Sequence, residues 1–96
     1  MNGTQGLDAR IAQQHERLGE LDRSIISLIE RRSRVAQDLD GLCRGAHVPG
    51  VDLSKENEML RRYHAVLGRP GTSIALLMLE LGRPDVRLTP APTQAE

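Results

Sequence analysis

Apolar residues recur at heptad spacing from Leu7 to about Arg44, a stretch with no proline and only Gly19 and Gly41 as glycines. One row reads Ile11, Leu18, Ile25, Arg32, Leu39; the other reads Leu7, Gln14, Leu21, Leu28, Val35, Leu42. Such spacing predicts one long amphipathic helix with an apolar seam. At 1.5 Å per residue it would run roughly 57 Å. A compact chain of this length has a radius of gyration of only about 12 Å. The helix must therefore project from any monomeric globule, and its seam calls for a second chain, most simply in a homodimer. The segment Gly45 to Val51, with Pro49-Gly50, reads as a loop. Asp52 or Ser54 is placed to cap a second helix to about Leu67, with an inward stripe of Leu53, Glu56, Leu60, Tyr63 and Leu67. Gly68, Pro70 and Gly71 break the chain again. Thr72 or Ser73 then caps a third helix, Ile74 to Leu81, apolar nearly all round and so expected to be buried, with Gly82 as its C-cap. The expected organisation is a disordered start (1–6), one helical domain (7–88) and a disordered, proline-containing tail (89–96).

Composition narrows the picture. With 96 residues there is room for one compact domain and not two. Apolar content is aliphatic, with no Trp, no Phe and one Tyr, which favours an all-α fold over a β-sandwich. Thirteen basic residues balance thirteen acidic ones, which argues against a nucleic-acid or anionic-membrane binder. The longest apolar run, Ile74 to Leu79, is too short to span a bilayer, and the expected location is the cytoplasm. A lone Cys43 excludes an internal disulfide and a cysteine-based zinc site, and reads first as a small apolar residue. His15, His47 and His64 are too far apart to form a helical metal pair, so neither metal nor cofactor is expected.

Two charges break the periodicity. Arg32 holds a seam position and Glu56 lies on the second helix's apolar stripe. A buried, unpaired guanidinium costs several kcal/mol, so Arg32 needs an anionic partner or a wet pocket. Two arrangements meet that need: an internal Arg–Glu pair that sets helix register, or a site in a helical bundle whose planar fork takes a carboxylate ligand. The neighbouring Arg31 and Arg34 read as a solvated face.

The stretch Leu21-Asp22-Arg23-Ser24-Ile25-Ile26-Ser27-Leu28-Ile29-Glu30-Arg31-Arg32 resembles the first-helix signature of the all-helical, AroQ-class chorismate mutases. Asp52-Leu53-Ser54-Lys55-Glu56-Asn57-Glu58-Met59-Leu60-Arg61-Arg62-Tyr63 is similar to their second helix, and Ile74 to Arg83 to the third helix of the short actinobacterial subclass. The resemblance runs from about Leu7 to Arg83. It implies an intertwined homodimer of three-helix subunits that converts chorismate to prephenate without a cofactor. It further implies a dianionic substrate bound as a chair, with a cation beside the breaking ether oxygen. Carried over by position, Arg32 falls on the in-subunit carboxylate-binding arginine and Lys55 on a second-helix arginine, keeping charge but losing the fork. Glu56 falls on the carboxylate that meets the ring hydroxyl, and Asp52 on a position lining the same end. Two positions depart. His15 stands seven residues before Asp22, where the family places a cross-subunit arginine, and Cys43 stands eleven residues after Arg32, where it places the ether-side cation. Arg44 is adjacent to Cys43, but one residue turns a helical side chain by about 100°. Glu80, Arg83, Asp85 and Arg87 are the candidates for completing the pocket from the chain's last third.

These departures imply a slow mutase, or one activated by a phosphoheptulonate synthase as in some members of the subclass. Two other readings share the fold: a mutase for 4-amino-4-deoxychorismate, whose ammonium suits a pocket with fewer fixed cations, and a catalytically silent ligand-binding or regulatory dimer. Pyruvate elimination from isochorismate is a fourth, chemically related option.

Overall fold

The computed structural model describes residues 3–88, with side chains from Gly6 onward. Three helices follow in order: α1 (Gly3–Gly45), α2 (Leu53–Leu67) and α3 (Arg69–Leu81). Among the described residues there is no strand. α1 begins at Gly3, four residues before Leu7. Met1, Asn2 and the tail 89–96 lie outside the described residues. At 43 residues α1 is about 64 Å long. It dominates a molecule of 69 × 38 × 16 Å with a radius of gyration of 18.9 Å.

α2 and α3 form a hairpin around a one-residue corner. Gly68 adopts φ 73°, where a side chain would be strained, and its N–H caps α2 on the His64 carbonyl at 2.8 Å. α3 starts immediately after it, a full turn before the Thr72/Ser73 cap expected from the sequence. The reason is positional: Pro70 lies in the first turn, where its missing N–H costs nothing. Gly71 permits the closest approach of the two helices, since a Cβ there would collide with the Tyr63 carbonyl and lie 2.7 Å from Leu67 Cβ. The Thr72 hydroxyl meets His64 Nδ1 at 3.1 Å and ties the two helices beside the corner.

The core of one chain is small. Among the described residues the buried apolar side chains are Met59, Ala75 and Met78, with Ile29, Leu60, Tyr63 and Leu79 packed around them. α2 thus turns Glu56, Met59, Leu60 and Tyr63 inward, while Leu53 and Leu67 of the expected stripe are exposed. α3 buries only Gly71, Ala75 and Met78; Ile74, Leu76 and Leu77 remain open, so the expected all-round burial does not occur within one chain.

α1 meets α3 through a different stripe from the predicted seam. Ile29, Ser33, Ala36, Gln37 and Asp40, all half-buried or buried, form this stripe, roughly a quarter-turn from the heptad rows. Gly82 sits so close to Ala36 that an added Cβ would come within 2.9 Å of it. Gln37 Nε2 lies 3.0–3.2 Å from the carbonyl oxygens of Leu81, Arg83 and Val86 and shares its two N–H donors among them, which closes the end of α3 and the turn that follows onto α1. Gln37→Ala is expected to cost about 1–3 kcal/mol in urea unfolding and to speed amide exchange selectively over residues 82–88. Unchanged exchange there would contradict the clamp.

α1 ends in a Schellman arrangement, with the His47 N–H on the Arg44 carbonyl (3.1 Å) and the Val48 N–H on the Cys43 carbonyl (2.9 Å). His47 occupies the left-handed position at φ 58°, where glycine is the usual residue. His47→Gly is accordingly expected to stabilise the protein by about 1 kcal/mol, read as a rise in thermal midpoint.

Candidate functional site

Arg32 lies at the border between the heptad seam and the stripe that faces α3, and it is half-buried. Its Nη2 reaches across to α2 and donates to the Met59 sulfur at 3.0 Å. Among the described residues the ion pairs within 4 Å are Arg34–Glu30 and Arg44–Asp40, so Arg32 has no carboxylate partner. A thioether is neutral and a weak acceptor, so the guanidinium keeps its charge and most of its donors. The internal Arg–Glu pair considered from the sequence is therefore not formed. Glu56 lies one turn before Met59 on the same inward face of α2 and is also half-buried. The structure thus brings Arg32 to the part of α2 that carries Glu56, with no ion pair formed between the two.

The other predicted residues are distributed differently. Asp52 is the N-cap of α2: its Oδ1 accepts from the Lys55 N–H at 3.2 Å, which orients the first turn carrying Lys55 and Glu56. Lys55 is exposed, and its ammonium makes no ion pair among the described residues. Cys43 stands three turns beyond Arg32 and about 20° from it round the axis, half-buried. Arg44 does not turn toward that face; its Nε lies 3.0 Å from Asp40 Oδ2, out on the surface. That buried oxygen has no aligned hydrogen bond, so the contact is electrostatic.

His15 is far away. It is exposed on the free half of α1, beside Leu7, Arg10, Ile11, Gln14 and Leu18. Along the axis it is about 26 Å from Arg32, so the two cannot meet within one chain. Glu80, Arg83, Asp85 and Arg87 are all exposed, near the turn that Gln37 holds.

Two contributors escaped the sequence reading. Met59 looks like any apolar residue, and the i, i+3 spacing from Glu56 is the signal that could have placed it inward. Gln37 continues the Ile29–Ser33 spacing, but polar residues in that row gave no apolar periodicity to detect.

No family model matches the chain. It is similar to an intracellular chorismate mutase of Mycolicibacterium smegmatis (strain ATCC 700084 / mc(2)155), with 33% identity over 66 residues. Those residues make up 69% of this chain, and the chain spans 64% of the length of that relative. This distant homology and the three-helix architecture with a very long first helix are consistent with the AroQ-like chorismate mutase family.

Proposed function

We propose that the protein is a chorismate mutase-type isomerase that rearranges chorismate to prephenate in a site completed by two copies of the chain. The observation that carries this reading is Arg32: a half-buried guanidinium, without a carboxylate partner among the described residues, turned to the α2 face that bears Glu56. Similarity to a chorismate mutase supports the same chemistry. In a Claisen rearrangement the ether C–O bond breaks as a C–C bond forms, with no proton transfer and no covalent intermediate. What the protein supplies is a folded substrate and charge complementarity to the oxygen on which negative charge develops.

In this reading the Arg32 fork holds one substrate carboxylate, and Glu56 accepts from the ring hydroxyl. Lys55 supplies a second, less directional positive charge at the α2 end, where Asp52 fixes the first turn. His15 of a second copy approaches from its own α1, because its place on the free half of the helix leaves it out of reach in its own subunit. Half-buried Cys43 offers no cation at the ether side, so turnover is slow without an activating partner such as a phosphoheptulonate synthase. The homodimer is supported by the exposed seam, in which Ile25 and Leu28 are 51% and 57% exposed in a single chain. The relative's description as intracellular favours a cytoplasmic location.

The test is a turnover assay on purified protein, with chorismate and 4-amino-4-deoxychorismate offered separately and products identified by mass spectrometry. Chorismate is expected to be converted to prephenate, and Arg32→Ala is expected to abolish the conversion. Preference for the amino substrate would transfer the reading to that compound. Absence of turnover on both, with and without the synthase, would leave a ligand-binding dimer.

A further inference from the structure

We infer that Met59 is a positioning residue for Arg32, holding the guanidinium extended toward α2 and yielding it to an anionic ligand. The inference rests on the assignment of Arg32 to substrate binding made above. Three observations carry it. Met59 is 4% exposed and belongs to the small core, so its thioether is fixed from behind by the α2–α3 hairpin. Its sulfur takes the Arg32 Nη2 donor at 3.0 Å across the α1–α2 gap. Glu56, one turn away on the same face, is left outside ion-pair distance of Arg32 although it is the far stronger acceptor.

The chemistry of the acceptor gives the arrangement its use. A carboxylate in this position would neutralise the guanidinium, and an anionic ligand would have to break a charged, half-buried pair to enter. A thioether accepts weakly and carries no charge, so it restrains the long arginine side chain without competing strongly for it. Ligand binding then exchanges a weak N–H···S contact for a charge-assisted bidentate one. Met78 provides an internal comparison: its sulfur takes the Tyr63 hydroxyl at 3.3 Å and, among the hydrogen bonds of the described residues, makes no contact with the arginine.

Leucine conserves the volume of methionine but has no acceptor. In Met59→Leu the guanidinium is free to swing to Glu56, so KM for chorismate is expected to rise about fivefold while kcat stays within a factor of two. A purely structural role would not divide the effect this way. In an Arg32→Lys background, which cannot make the same planar contact, the Met59→Leu change is expected to leave KM unaltered.

A second measurement needs no turnover. In protein labelled with 13C at the methionine methyl groups, Arg32→Ala is expected to shift the Met59 resonance and leave Met78 in place. Saturating chorismate is expected to do the same to the wild-type protein. Turnover that saturates normally, with an unmoved Met59 resonance and unchanged KM in Met59→Leu, would overturn the inference and leave the mutase reading standing. A Met59 resonance that shifts in Arg32→Ala but not on adding chorismate, with no turnover, would overturn both.

Discussion

Cys43→Lys is expected to raise kcat for chorismate by about two to three orders of magnitude. The reason is geometric and electrostatic together. Position 43 lies three turns from Arg32 and within about 20° of it on the same helix, so a side chain there projects over the same strip of surface. In the proposed mutase, Cys43 would supply neither charge nor a strong donor where the rearrangement builds negative charge on oxygen. A preorganised donor at such an oxygen is worth about 3–4 kcal/mol in the transition state and much less in the ground state, so the gain falls on kcat rather than KM. Cys43→Ser, which adds a hydroxyl but no charge, is expected to recover far less. Single-turnover kinetics on the three forms would separate chemistry from release. A lysine variant that folds normally and turns over no faster would remove position 43 from the site. Arg44 is no substitute in the native chain, since it is engaged with Asp40 on the neighbouring face.

The second large effect is on assembly. Ile25→Glu combined with Leu28→Glu is expected to convert a dimer to a largely unfolded monomer, read as loss of the dimer in sedimentation and loss of most helical circular dichroism. A single chain buries few apolar side chains, whereas the α1 seam leaves Leu7, Ile11, Leu18, Leu21, Ile25, Leu28, Val35, Leu39 and Leu42 open. Each aliphatic side chain taken fully from water contributes about 1.5–3 kcal/mol, so in the proposed dimer the seam would outweigh the internal core as a source of stability. Two carboxylates set into it would each carry a desolvation cost of several kcal/mol. The control is Ser24→Glu with Ser27→Glu, which adds the same charges off the seam and is expected to leave the dimer intact. A double seam variant that remains dimeric and helical would show that the apolar rows are not the interface.

Much of the fold was legible in the sequence, for reasons that differ from helix to helix. The long first helix follows from a heptad pattern that continues past Gln14 and Arg32 without a proline, which no other local structure accommodates. The loop at Pro49-Gly50 and the Asp52 cap follow from backbone chemistry that acts within four residues. The start of α3 did not follow, because Pro70 and Gly71 carry opposite meanings in a loop and in a helix's first turn. Only the close approach of Tyr63 and Leu67 selects between them.

The site divides along the same line. Sequence alone determined that Arg32 and Glu56 were out of place on apolar stripes, since periodicity is a local property and a charge that violates it stands out. The resemblance added the expectation of two departures from the family's cation positions, at His15 and Cys43. What only the tertiary structure decided is which neighbours those charges have: that Arg32 rests on a thioether and not on Glu56, that Arg44 is held by Asp40, and that Gln37 gathers the turn after α3. Such contacts join residues from 4 to 49 positions apart, and the longer ones depend on where one helix crosses another. That crossing is set by the small residues Ser33, Ala36, Gly71 and Ala75 packed between the helices, whose part in the fold comes from what they leave room for.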